Sequence, residues 1–107
     1  MHIRVQMNPM DHLRLKVTAT IQRAIPGLPI VADGDRKSTG VVVSSGRSSL
    51  TAYFRDWRPD TTSTEKTAFQ QRFQDRSYEA LASELGAYRV KRVSALGGSK
   101  GVKVTLV

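Results

Sequence analysis

At 107 residues the chain has room for one domain and one compact core, which argues against a two-domain enzyme. It carries 17 Lys and Arg against 9 Asp and Glu, a formal net charge of +8, and its 39% apolar content is that of a globular protein rather than of a disordered basic tail. With no Cys, disulfides, Cys-type zinc fingers, thiolate nucleophiles and iron–sulfur clusters are excluded.

Ile3, Val5 and Met7 alternate with Arg4 and Gln6, the period of an opening half-buried strand. Asn8-Pro9 then supplies a capping residue and a Pro for the first helical position, with Asp11 in the first turn. This predicts a helix from about Pro9 to Ala24 that buries Leu13, Val17, Ile21 and Ala24. A competing strand signal runs through the same residues, where Leu13, Leu15, Val17, Ala19 and Ile21 alternate with polar neighbours. Ile25-Pro26-Gly27-Leu28-Pro29 ends the element, a short strand follows at Pro29 to Ala32, and Asp33-Gly34-Asp35 opens a polar loop to Thr39.

The runs Gly40 to Ser44 and Ser49 to Phe54 flank Ser45-Gly46-Arg47-Ser48 and read as a β-hairpin. After a break at Pro59-Asp60-Thr61, Thr62 and Glu65 form a capping box. Phe69, Phe73, Leu81 and Leu85 recur at multiples of four with Ser77 in the gap, a long helix that Asp75-Arg76-Ser77 could split in two and that Gly86 should cap.

The last twenty residues decide the fold. With Tyr88 to Ala95 as a strand, Gly97-Gly98-Ser99-Lys100-Gly101 turns the chain into the alternating Val102 to Leu106. The order is then β-α-β-β-β-α-β-β, a single α+β domain over residues 1–107 with a mixed or antiparallel sheet and two helices, close to a ferredoxin-like arrangement. With Tyr88 to Leu96 as a helix, the chain would end in a winged helix-turn-helix. Ala82 fits that motif, but Arg92 stands where it wants an apolar residue, so the strand is preferred.

The charge is unevenly placed. Arg36, Lys37, Arg47 and Arg55 lie between Asp35 and Asp56 with no acid among them, and Arg89, Lys91, Arg92, Lys100 and Lys103 follow the last acid, Glu84. The segment between holds Glu65, Asp75 and Glu79 among Lys66, Arg72 and Arg76, the balance of a solvated helix. A basic chain stays soluble through its net charge alone, but acid-free clusters of this kind suit a polyanion. The expected function is therefore non-enzymatic nucleic-acid binding, DNA or RNA. Arg89, Lys91, Arg92, Lys100 and Lys103 form the main patch, and Arg36, Lys37 and Arg47 a second. The Gly97 to Gly101 loop is expected to project as a flexible basic finger, and Trp57, beyond the strand end and before Pro59, is the candidate stacking residue.

Other chemistry finds little support. His2 and His12 are the only histidines, no metal-ligand spacing is present and no cofactor is expected. Asp33-Gly34-Asp35 lacks the length and terminal Glu of a calcium loop, the glycine loop does not match a Walker motif, and no Gly-x-Ser-x-Gly elbow occurs. A metal-free ribonuclease using His12 as general base is the remaining catalytic reading. The two aromatic strips of an RNA-recognition motif are missing. Apolar runs reach only about four residues and Met1 to Met7 has no signal-peptide core, so no membrane partner and a cytoplasmic location are expected.

A second class stays open, a small assembly or inhibitory protein of phage or mobile-element type. It would form a defined oligomer and dock on an acidic protein surface through an exposed strand edge at Val102 to Val107. Ile25-Pro26-Gly27-Leu28-Pro29-Ile30-Val31, followed by a Gly-turn hairpin, resembles small virion tail-completion proteins over that stretch alone, too short and unspecific a match to define a family.

Overall fold

In the computed structural model, which describes residues 8–35, 37–86 and 90–107, the Asn8 side chain accepts the Asp11 amide at 2.9 Å and starts helix α1, Pro9–Ala24. Leu13, Val17, Thr20 and Ile21 are buried while Leu15 is 57% exposed, so the helical period wins over the strand-like alternation. Strands β1 (Ile30–Val31), β2 (Gly40–Ser45) and β3 (Ser49–Arg55) follow. The Thr62 hydroxyl then accepts the Glu65 amide at 3.1 Å and donates to the Glu65 carboxylate at 3.0 Å, which opens helix α2, Ser63–Glu84. α2 runs unbroken through Asp75-Arg76-Ser77 and ends with Leu85 as its capping residue rather than Gly86. Strand β4 (Val90–Ala95), a single 3-10 turn at Gly97–Ser99 and strand β5 (Val102–Leu106) complete the chain.

These elements make a small α+β domain of two helices and one mixed sheet, in the order β1-β2-β3-β5-β4. β1 pairs parallel with β2, and every other pairing is antiparallel. Three expectations are corrected here. The strand order is not ferredoxin-like, because β2, β3, β5 and β4 pair as adjacent antiparallel neighbours, and the strand expected at Ile3 to Met7 lies outside the described residues. The winged helix-turn-helix falls because Val90–Ala95 is laddered to β5. Val102–Leu106 is no free edge either, since β5 pairs with β3 on one side and β4 on the other.

Both helices cover the same face of the sheet. Leu13, Val17 and Ile21 of α1 and Phe73 and Leu81 of α2, with Leu85, meet Val41, Val43, Leu50, Ala52, Phe54, Val102 and Val104 in one core. Each buried Val, Leu, Ile or Phe side chain contributes about 1.5–3 kcal/mol relative to exposure. The Phe54 and Phe69 rings lie 4.6 Å apart and tie β3 to α2. At the helix ends, Glu84 accepts from the Thr20 hydroxyl at 3.0 Å and pairs with Arg23 and, at 3.7 Å, with Lys16, which clasps α2 to α1. Beyond the short β1, the edge of β2 is covered by Arg14, whose guanidinium donates to the Val43 carbonyl and the Ser45 hydroxyl.

Candidate functional site

Because side chains alternate along a strand, every second residue of this sheet points away from the helices. The register aligns those residues into rows. Ser94, Lys103, Thr51 and Ser44 lie side by side across β4, β5, β3 and β2, and Arg92, Thr105 and Ser49 form the next row. Arg92 and Lys103 are diagonal neighbours, about 7–8 Å apart in such a ladder. A third row, Tyr53, Val42 and Val31, is more apolar, and Val42 is fully buried although it points away from α1 and α2. Gly40 lets β1 approach closely: a Cβ there would lie 2.3 Å from Val31 Cγ2. The face of the sheet away from α1 and α2 thus carries hydroxyls and cations, with an aromatic and aliphatic end.

The five strands contain Arg55, Lys91, Arg92 and Lys103 and no Asp or Glu. All acids sit on helices or loops, and α2 alone holds four acids against three cations. Among the described residues, Lys91, Arg92, Lys100, Lys103 and Arg47 make no salt bridge, whereas Arg23, Lys16 and Arg58 are engaged by Glu84 and Asp56.

The expected site residues do not all come together. Arg92 and Lys103 share the open face, and Lys91 is exposed on edge strand β4 beside them. Arg47, at the β2–β3 turn, lies at the end of the sheet where β5 finishes, as the bond from the Leu106 amide to the Ser48 carbonyl at 2.8 Å places it. Lys100 and Lys37 are exposed at the opposite end. Lys37 shares its loop with Asp33 and Asp35. The Asp35 carboxylate accepts the Lys37 and Ser38 amides, which hold it below the ordinary carboxylate range, so the second patch is not purely basic. Arg89 and Arg36 lie outside the described residues.

The glycine loop is not a free finger. Gln74 of α2, itself buried, donates through Nε2 to the Leu96 carbonyl at 2.9 Å and accepts the Gly101 amide at 3.0 Å, while Ser99 donates to Gln71 at 2.5 Å. Lys100 therefore rides on a turn fastened to α2. Compared with known protein families, curated proteins and solved structures, the chain matches none.

Trp57 is 51% exposed at the far corner, with the Arg55 guanidinium 5.8 Å from its ring centre. Arg55 Nη1 reaches the Asp33 carbonyl at 3.4 Å, and its Nε and Nη2 are buried without a partner among the described residues. His12 is exposed on α1, across the sheet from Arg92 and Lys103. Among the described residues no cluster of His, Asp and Glu could hold a metal, and no helix is long and apolar enough to cross a membrane. Sequence reasoning overlooked Thr51 and the hydroxyl rows, and favoured the core for Tyr53, which alternation places on the open face. The signal was present: Leu50, Ala52 and Phe54 mark the core parity of the second hairpin strand, which leaves Ser49, Thr51, Tyr53 and Arg55 on the other face.

Proposed function

We propose that the protein is a non-enzymatic nucleic-acid-binding module that lays the face of its sheet away from α1 and α2 against a phosphate backbone. The observation that carries this is the segregation of charge. The sheet strands hold cations and no acid, and on the open face Arg92 and Lys103 stand among Ser49, Thr51, Ser94 and Thr105. Arg, Lys, Ser and Thr are the side chains that contact phosphate and sugar oxygens, and such contacts position a backbone without reading sequence. A cation already held by a carboxylate must break that pair to bind phosphate; Arg92 and Lys103 have no such pair among the described residues.

The test is fluorescence anisotropy with labelled DNA and RNA at several salt concentrations. Each neutralised phosphate contributes about 0.7 to 0.9 to the slope of log affinity against log salt. Arg92→Glu with Lys103→Glu should weaken binding strongly and flatten that slope by about 1.5. Arg72→Glu with Arg76→Glu, on exposed positions of α2, should change it far less. Absence of binding at low salt refutes the reading, and an acidic protein surface then becomes the partner to seek.

A further inference from the structure

We infer that the open face ends in a cleft that takes one unpaired nucleotide, so that the protein prefers single-stranded over duplex nucleic acid. The inference rests on the nucleic-acid reading above and names the form of nucleic acid that the same face accepts. β5 begins at Val102, paired with Ala52, so Tyr53 and Phe54 of β3 run on past it. The space beside them is a cleft of about 400 Å³ between β3, α2 and the β4–β5 turn, lined by Thr51, Tyr53, Gln70, Gly98, Ser99 and Lys100. That volume is within the range of small-molecule sites.

The chemistry of this lining is specific. Tyr53 points to the open face and is half-buried, which offers a ring for a base to stack on. Lys100 is exposed at the rim, with no carboxylate among the lining residues to neutralise it. Thr51 and Gln70 add a hydroxyl and an amide; Gln70 spends only a long 3.4 Å contact on the Phe54 carbonyl. The rim is also preorganised, because Gln71 and Gln74 fasten Ser99 and Gly101.

The cleft is continuous with the cationic face. Thr51 lines it and is also the β3 partner of Lys103, which is the diagonal neighbour of Arg92. A backbone crossing Arg92 and Lys103 therefore arrives at Tyr53 and Lys100. A flexible strand can turn a base into this cleft, whereas a duplex would first have to unstack and unpair it.

The experiment measures affinity for one oligonucleotide as single strand, supplied as DNA and as RNA, and as duplex at fixed salt. The wild type should bind at least one single strand more tightly than the duplex. Tyr53→Ala should lower single-strand affinity about tenfold while changing duplex affinity little, and Lys100→Ala should act in the same direction. Should Tyr53→Ala fail to fold, Tyr53→Leu carries the same test, since leucine keeps apolar cover beside Val42 without a ring to stack. Equal or tighter duplex binding, or variants that keep the preference, overturns the cleft while leaving the Arg92 and Lys103 face standing. Failure of all three nucleic acids to bind at low salt overturns both.

Discussion

Gln74 of α2 holds Gly101 of the β4–β5 turn in place, accepting its buried amide at 3.0 Å while the other end of the same side-chain amide donates to the Leu96 carbonyl at 2.9 Å. One helix residue thus satisfies a donor and an acceptor on the two arms of the turn, alongside the Leu96 to Gly101 backbone bond at 2.8 Å. Gln74→Ala removes both bonds and leaves the Gly101 amide buried and unpaired, which should cost about 2–3 kcal/mol. Urea denaturation checks the loss, and hydrogen exchange at Gly101 should accelerate by more than the global destabilisation accounts for. A variant that loses less than about 0.5 kcal/mol would show that water replaces the glutamine.

Gly101 is demanding for a second reason. Its φ is +114°, and a Cβ there would lie 2.3 Å from the Ala52 carbonyl oxygen and 2.8 Å from Tyr53 Cβ. Gly101→Ala should therefore destabilise by at least about 2 kcal/mol through backbone strain and the displaced β3 backbone. Gly97→Ala, where nothing lies within 4 Å of the added carbon, should be nearly neutral. Paired thermal denaturation of the two variants gives the comparison, and equal losses would contradict the close approach of the turn to β3.

Ser77 presents the opposite case. It lies on the core stripe of α2 between Phe73 and Leu81, is fully buried, and its hydroxyl has no hydrogen-bond partner among the described residues. A buried unpaired hydroxyl costs desolvation, and Ala is the better helix former, so Ser77→Ala should stabilise by about 1 kcal/mol. The urea midpoint should rise with an unchanged slope. Destabilisation would mean that the hydroxyl has a partner after all.

Ser77 also marks where local sequence signals suffice. Both helices were legible because their starts are written in adjacent residues, Asn8-Pro9 and Thr62 with Glu65, and those caps outweigh the strand-like alternation of Leu13 to Ile21. β4 was hard to read for an identifiable reason: its register shifts between Val90 and Arg92, so a bulge interrupts the parity that a strand would otherwise show. Strand order was not legible, because the parallel pairing of the two-residue β1 and the place of β5 between β3 and β4 are long-range pairings that no local residue pattern writes. For the site, the cationic residues of β4 and β5 could be named, but not that the β4–β5 turn is tied down, since Gln71 and Gln74 look like ordinary polar helix positions.

Glu84 gives the fold a dependence on pH. Hydrogen bonds from Arg23 first and Thr20 second, with Lys16 nearby, hold its pKa below the ordinary value of 4.5. A carboxylate with a lowered folded pKa stabilises the native state fully above the ordinary value and loses that contribution as pH falls through the lowered one. Glu84→Gln keeps an acceptor for Thr20 but cannot be ionised, so the wild type should melt higher at neutral pH and the gap should close on acidification below 4.5. Asp56 is also lowered, by its bonds from Arg58, but it is present in both proteins and cancels in the difference. High salt should narrow the neutral-pH gap as well, because Glu84 is partly exposed and its pairs are screened. Melting temperatures of the two proteins across this range decide the matter, and a gap that does not change with pH would remove Glu84 from the acid response.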